Sequence, residues 1–590
     1  MALPFVGVDG EGGDLDDGSG FYRHEYTMLR AGDEYVTGHW LDFLSRLPKK
    51  KIHVAYFFDY DVTMMCRDLD PVMLKPMVAD QEIRYGPYKL TYRPRKQFTV
   101  AARGRKTTIN DVGSFFQCPF VDALTKWNIG TVEERRVIGE GKGQRAKFGA
   151  LTPETIYYNG MECRLLVELM DKFRRTCELI GYLPARWQGP GQLAKAMFKK
   201  HGIPKTQDLP DFPPGVWDMA QRCFYGGRFE PSAVGPVRGP LDGWDIGSAY
   251  PYACTLLPCL QHATWKPTRH LKDTGMYSVT FSHAKEQMWY GLPVRTSNGS
   301  IIFPRHGSGW YWGVELLSAI RLGARITVHH GWEYQSDCGH IPFDFMERLF
   351  SIRKAIGKTD AGNTLKLGMN SCYGVTAQSI GTPPYANPIW AGLITAITRA
   401  RINEAIALDP YSVYMVATDG IFTKPGMALE ESDALGGWER KEYPEGMHIV
   451  QSGVYFAGDT TTRTRGVPQS AILREKQSLI DAWTGDPSDG CDIQLRQFIG
   501  LRLALARNAP HTMGQWIPTT KRVSYDWATK RRPDVARVCY EGIRTTPYVG
   551  SEDTWTQPYD KPIGGNVGRA LDRLEFADTP DWAETLTGLL

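Results

Sequence analysis

At 590 residues the chain exceeds what one ordinary hydrophobic core supports, so length alone predicts about two to four domains. With 42% hydrophobic and 23% charged residues, and without internal repeats, the composition is globular and excludes extended disorder. The net charge of +4, from 69 basic against 65 acidic residues, neither demands nor excludes nucleic acid, since a basic groove can hide inside a near-neutral total.

Eleven scattered cysteines with no C-x-x-C pair, in a chain large enough to fold unstapled, fit a reduced, cytoplasmic setting. Met1-Ala-Leu-Pro-Phe-Val runs straight into Asp9 and Glu11 without a secretory pattern. The longest uncharged run, 367–398, is broken by Asn, Ser, Gln, Gly and Pro, so no membrane span is expected.

In chain order, Leu3 to Glu11 reads as a strand on which Asp9 and Glu11, two apart, share a face. A second strand, Ile52 to Phe58, leads to Asp61. Thr155 to Met170 reads as a helix with Tyr158 and Glu162 neighbours at i and i+4. Together, Asp9, Glu11, Asp61 and Glu162 would bind two metal ions and activate water against a phosphodiester, with Tyr158 orienting that water. Spacing alone does not separate this from four solvated surface acids. Tyr88–Val100 and Lys106–Val112 read as base-bearing strands that could meet phosphates or form a solvated sheet face. The charged, glycine-bearing tract from Glu133 to Lys147 reads as a loop.

Gly181-Tyr-Leu-Pro184 marks a boundary, followed by a short basic helix over Gln192–Lys200. A further helix runs into Cys223-Phe-Tyr-Gly-Gly-Arg-Phe229, where the paired glycines and Arg228 could approach a nucleic-acid strand. The stretch Gly243 to Tyr252 then presents Asp245 just before a Ser/Tyr/Pro turn signal. Tyr411 to Thr423 predicts a hairpin with Asp419 near its tip. Brought together, Asp245 and Asp419 could hold a pair of Mg²⁺ ions roughly 3.5–4 Å apart for in-line phosphoryl transfer. Tyr250 could floor a nucleotide sugar pocket.

His262, His329, His330 and His340 lie near Cys254, Cys259 and Cys338 in sequence, but their spacings fit no compact zinc pattern and read as dispersed residues. Pro342 to Lys354 reads as a helix with a basic end. On the next helix, Asn363 to Gly374, Lys366, Asn370 and Tyr373 share one face. Lys366 and Lys354 suit nucleotide phosphates, and Tyr373 suits a base or sugar.

Asp245-Ile-Gly-Ser-Ala-Tyr-Pro251, Lys366-Leu-Gly-Met-Asn-Ser-Cys-Tyr-Gly374 and Ala417-Thr-Asp-Gly420 resemble, in the right order, the three polymerase motifs of family B DNA polymerases. Tyr225-Gly-Gly227 is similar to the linker motif of the compact, protein-primed bacteriophage members. Asp9-Gly-Glu11, Tyr60-Asp61 and Tyr158-Asn-Gly-Met-Glu162 resemble the motifs of their 3′–5′ exonuclease.

The resemblance implies an α/β and α+β multidomain chain, with an RNase H-like exonuclease domain before a right-hand polymerase of palm, fingers and thumb. The expected bounds are 1–180 exonuclease, 181–242 linker, 243–350 and 386–460 palm, 351–385 fingers, and 461–590 thumb and C-terminal region. It also implies palm metal ligands Asp245 and Asp419, a steric gate at Tyr250, and nucleotide contacts from Lys366, Asn370 and Tyr373. In the nuclease, Asp9, Glu11 and Asp61 would be metal ligands and Tyr158 would position water. The implied cofactors are two Mg²⁺ ions per site, with Mn²⁺ able to substitute. The implied partners are primer–template DNA and deoxynucleoside triphosphates, with a terminal protein as a conceivable primer for a monomeric enzyme.

The chain departs from the pattern in places. Ala417 stands where the third motif commonly has an aspartate, Glu162 where the nuclease usually has Asp, and Phe57 where it usually has Asn. The 53 positions between Lys366 and Asp419 leave little room for the DNA-encircling hairpin of protein-primed enzymes, whereas the 121 between Asp245 and Lys366 admit an insertion. Where the family has K-x-Y, Gly453-Val-Tyr455 keeps the tyrosine, and Arg463 or Arg465 could supply the missing charge. Lys521-Arg522 and Lys530-Arg-Arg532, with Trp516, Tyr525 and Trp527, suit DNA contacts. Residues 553–590 read as a peripheral cap. Two other readings are a nuclease whose polymerase half only grips DNA, and a non-enzymatic replication scaffold.

Overall fold

The computed structural model of the protein describes residues 2–16, 22–143, 150–296, 299–379, 383–451, 453–457, 461–486, 488–525, 530–539, 542–547 and 555–556. Strand β1 (Phe5–Asp16) pairs antiparallel with β2 (Tyr22–Ala31) and parallel with β3 (Ile52–Ala55). Helix α1 (Asp59–Cys66) follows β3, which pairs parallel with β4 (Arg105–Asp111). With Glu34–Val36, Glu82–Tyr85, Tyr88–Arg93 and Gln97–Ala102 these form a mixed eight-stranded sheet. The parallel strands lie mid-sheet and are apolar, with Val54, Ala55 and Ile109 fully covered.

Of the tract expected to be a loop, residues 133–143 are helical, as α2 spans Val132–Gly143, and 144–147 lie outside the described residues. A capping box explains it: the Thr131 hydroxyl accepts from Glu134 N at 3.1 Å, and the Glu134 carboxylate from Thr131 N at 2.7 Å. Arg136 adds pairs to Glu133 and Glu140, three and four residues away. These local terms outweigh the glycines. Helix α3 (Pro153–Leu179) opens on a Thr152 cap with proline at its first position, and lies against β1. Its Leu165, Leu169 and Phe173 fill a core shared with Phe115 and Trp187.

Strands β5 (Arg228–Pro231) and β6 (Leu241–Ile246) begin a second sheet. The interval after β6 holds α4 (Ala249–Thr255) and a four-stranded antiparallel sheet that includes β7 (Thr264–Thr268) and β8 (Arg325–Gln335). Helices α5 (Phe345–Ile356) and α6 (Asp360–Thr376) follow, then α7 (Pro388–Leu408) and strands β9 (Val413–Thr418), β10 (Gly420–Thr423) and β11 (Trp438–Tyr443). The second sheet is antiparallel throughout, in the order β11-β6-β10-β9-β5. Between Lys366 and Asp419 the described residues form the rest of α6, α7 and β9, with no added hairpin.

Helix α7 is buried nearly all round and carries Arg399 and Asn403 inside, so its apolarity is that of a core helix. Among the described residues, no helix is long and apolar enough to cross a membrane. Arg399 grips Glu315 through two bonds of 2.6 and 2.9 Å, and its remaining donors reach the carbonyls of Tyr225 and Gly226 at 2.6 and 2.8 Å. Both side chains are fully buried. Removing one partner strands the other charge, so Arg399→Met is expected to cost about 3–5 kcal/mol in chemical denaturation, with much of it recovered by Arg399→Met/Glu315→Leu.

Two bases expected to meet DNA are interior instead. Arg228 is fully buried, paired with Glu230 and donating to Asn403 at 2.9 Å. Arg531 is also buried, donating to the carbonyls of Met288 and Thr545, both at 2.9 Å. A charge surrounded by acceptors from distant segments costs less to bury than its sequence neighbourhood suggests. Tyr525 is interior too, its hydroxyl donating to Leu479 O at 2.8 Å. Trp527 and nearly all of 553–590 lie outside the described residues. The helix Leu501–Ala506 leaves the C-terminal region to pack its Leu501, Ala504 and Leu505 into the core of the first sheet.

Candidate catalytic sites

On β1, Asp9 and Glu11 share a face, and a bulge follows Glu11. Helix α3 brings Glu162 to them, so that ligand oxygens of Asp9, Glu11 and Glu162 all lie within 4.8 Å of one another. Asn159, one turn from Glu162, donates to Asp9 at 3.1 Å and Glu11 at 3.3 Å, and is itself held by Arg30 Nε at 3.0 Å. Asp61, buried on α1, accepts from the Tyr26 hydroxyl at 2.9 Å and adds its charge beside Asp9. Tyr158 is buried, donates to Ile138 O at 3.3 Å, and has its hydroxyl pK raised by burial and by the Glu162, Glu11 and Asp9 charges.

Crowding of this kind has a titration consequence. Burial, then the charges of Glu162, Glu11 and Asp61, hold the Asp9 carboxyl well above its ordinary range. Burial pushes Asp61 up to about 8 and Asp111 up to about 7, the latter despite bonds from the Phe57, Phe58 and Gly113 amides. The folded chain therefore retains protons that the unfolded chain, with an ordinary value of 3.8, releases. Stability should fall as pH rises from about 4 to about 8 when divalent ions are chelated. Calorimetric melting in EDTA is expected to give a lower midpoint at pH 8 than at pH 6, with Mg²⁺ closing the gap.

The second site lies on the second sheet. Asp245, on β6, stands opposite Gly420 of β10 on one side and Glu439 of β11 on the other. Asp419 sits in the tight turn between β9 and β10, its carbonyl accepting from Ile246 N at 2.8 Å. The preceding Thr418 adopts φ 62°, a left-handed conformation costly for a β-branched residue, so surrounding packing must hold the turn. Two glycines allow that packing. A Cβ at Gly420 would come 2.2 Å from the Asp245 carboxylate, and one at Gly227 would come 2.7 Å from Thr418. The Tyr-Gly-Gly segment thus backs the turn that carries Asp419.

Asp245 is solvent-accessible, but the protein around its carboxyl displaces enough water that partial desolvation, then the charge of Glu439, raises it against the pull of Arg463 and Lys441. Burial and the Asp245 charge push Asp419 up to about 6. Such a pair of oxygen donors suits a hard divalent cation, which removes the mutual repulsion. Tyr250, at the start of α4, packs against Tyr373 of α6 with ring centroids 4.7 Å apart, and burial with the Asp419 charge pushes its hydroxyl to about 12. Lys366 and Asn370 are exposed on α6 and Tyr373 is half-buried. Lys354 is paired across the cleft with Asp433. Of the two arginines beside Tyr455, Arg463 faces it across β-strands and reaches the Asp245 field, whereas Arg465 stacks over Phe229 at 3.9 Å.

Residues 142–385 match the family described as DNA polymerase type B, organellar and viral. The chain superposes on phi29 DNA polymerase complexed with primer-template DNA and incoming nucleotide substrates, with a TM-score of 0.60 at 12% identity, covering 89% of this chain and 100% of that one. The fold is that of phi29 DNA polymerase. The post-translocation binary complex of phi29 DNA polymerase gives a TM-score of 0.63 at 11% identity, covering 88% and 100% of the two chains. In sequence, the chain is 28% identical over 238 residues to the primer-independent DNA polymerase PolB of Escherichia coli, covering 34% of this chain and 27% of that relative's length.

Within this polymerase fold, sequence reading missed Glu439, Asn159 and Tyr26. Glu439 sits in a charged Glu-Arg-Lys-Glu run, and only the β6–β11 register puts it beside Asp245. Asn159 lies between two residues that were singled out, so its place on the α3 face was available. Tyr26 carried no signal in the sequence.

Proposed function

We propose that the chain is a template-directed DNA polymerase that extends a primer 3′ end with deoxynucleotides, and that it carries a 3′–5′ exonuclease in its N-terminal region. The observation that carries the reading is the convergence of Asp245, on β6, and Asp419, in the adjoining β9–β10 turn, with Tyr250 in the field of Asp419 and packed on Tyr373 of α6, the helix that also bears Lys366 and Asn370. The second sheet is the proposed palm, α5 and α6 the fingers, and the region after residue 460 the thumb.

Asp245 and Asp419 would hold two Mg²⁺ ions, which neutralise the phosphates and lower the pK of the attacking hydroxyl when bound. Lys366 would neutralise triphosphate charge, and Tyr250, backed by Tyr373, would exclude a 2′-hydroxyl by bulk. Arg463 would take the place of the absent lysine beside Tyr455 at the primer end. In the nuclease, Asp9, Glu11, Glu162 and Asp61 form the metal set. Asn159 orients two of its members, and Tyr158 shares in positioning water.

The test is a labelled primer–template with Mg²⁺, followed with and without deoxynucleotides. Lengthening with nucleotides and shortening without them are expected. Since the E. coli relative is a primer-independent DNA polymerase, the same assay includes a template lacking a primer. Unchanged primer length under both conditions, with DNA still bound, would point to a scaffold instead.

A further inference from the structure

The scattered histidines and cysteines between Cys254 and His340 are not all dispersed. Cys254 is sealed in the core, His329 bonds to Thr280, and His330 stands edge-on to Trp310. The others converge. Ligand atoms of Cys259, His262 and Cys338 all lie within 4.8 Å of one another. Nδ1 of His262 and Nδ1 of His340 are each 3.4 Å from the Cys259 sulfur.

We propose that Cys259, His262, Cys338 and His340 form a structural zinc site, separate from both carboxylate sites. The donor set argues for the metal. Two sulfurs and two imidazoles suit tetrahedral Zn²⁺, whereas Mg²⁺ prefers oxygen. Zn–S and Zn–N bonds of about 2.3 and 2.0–2.1 Å at tetrahedral angles place sulfur and nitrogen roughly 3.5 Å apart. Both Cys259–histidine distances have that length before any rearrangement.

The fold explains why residues about 80 positions apart in sequence meet. Strands β7 and β8 pair antiparallel, ending at Thr264 opposite Gln335. The Cys259–His262 turn immediately precedes that end of β7, and the Cys338–His340 segment immediately follows that end of β8. Both halves are braced: Cys259 O accepts from the Tyr334 hydroxyl at 2.8 Å, and Pro258 O from Trp390 Nε1 at 3.0 Å. The Ser336 hydroxyl donates to the Cys338 sulfur at 3.2 Å, a contact suited to a thiolate. Four protein donors close the shell and leave no position for water, which marks a structural role.

Binding would release the two thiol protons and join the segment leaving α4 to the segment entering α5. Those helices carry Tyr250 and Lys354 and pack against each other, so the ion would brace their mutual placement.

The experiment titrates the reduced full-length chain with Co²⁺ alone. One equivalent should produce a thiolate-to-cobalt charge-transfer band, which cobalt at the carboxylate clusters cannot give, and one equivalent of Zn²⁺ should bleach it. Because Cys259 is buried, half-exposed Cys338 and exposed His262 carry the mutational arm. Cys338→Ser should lose about half the band intensity, and both Cys338→Ser and His262→Ala should weaken Co²⁺ binding by about 100-fold or more. Asp9→Ala should leave the band intact. No band in the wild-type chain, or an equal band and affinity in Cys338→Ser and His262→Ala, would overturn the proposal. So would a Cys259–Cys338 disulfide in protein purified without reductant that contains no metal.

Discussion

Asp245→Ala is expected to lower primer extension by about 1,000-fold or more in a single-turnover assay, while degradation of single-stranded ends continues at the parental rate. The size follows from the site's sparse acidity. Ala417 occupies a position where a carboxylate would have been available, so on the proposed reading Asp245 and Asp419 would carry the cation charge, with Glu439 beside them. Removing Asp245 also removes the charge that raises Asp419, and the alanine is tolerated structurally because Asp245 is open to solvent. Extension at the parental rate in this variant would sink the polymerase reading. Asp245→Asn separates charge from shape, and should fall nearly as far.

Asp9→Ala combined with Glu11→Ala should give the complementary phenotype. Shortening of single-stranded DNA should drop by about 1,000-fold or more while extension persists. Two of the four candidate ligands come from β1, so the pair removes half of the donor set at once. It also frees Asn159 from both of its acidic partners. Because burial and mutual repulsion raise Asp9, the double variant should melt no lower than the parent in EDTA at pH 8. Shortening that survives the double variant would place the nuclease elsewhere.

These expectations trace back unevenly to the sequence. The hairpin around Asp419, the turn after Asp245 and the helix with Lys366, Asn370 and Tyr373 were legible because each is set by local signals: alternation, a turn sequence, helical spacing. Helix α2 was misread although its capping box, Thr131-x-x-Glu134, was present, since charge and glycine drew attention first. What could not be read was long-range pairing. Arg228 and Arg531 look like surface bases until Glu230, Asn403, Met288 and Thr545 surround them. Glu439 and the Cys259–His340 cluster depend in the same way on strand register.

The helix Leu501–Ala506 carries a further consequence. With Ile499 and Met513 it supplies apolar cover to the core that holds Val62, Leu74 and Met77, and Leu501 N bonds to the Thr63 hydroxyl at 3.1 Å. That bond lies two residues from Asp61. A fragment cut after residue 180 would leave this flank bare, so the proposed nuclease half is not a detachable module. The candidate metal ligand Asp61 sits on a helix buttressed by a segment translated more than 400 residues later.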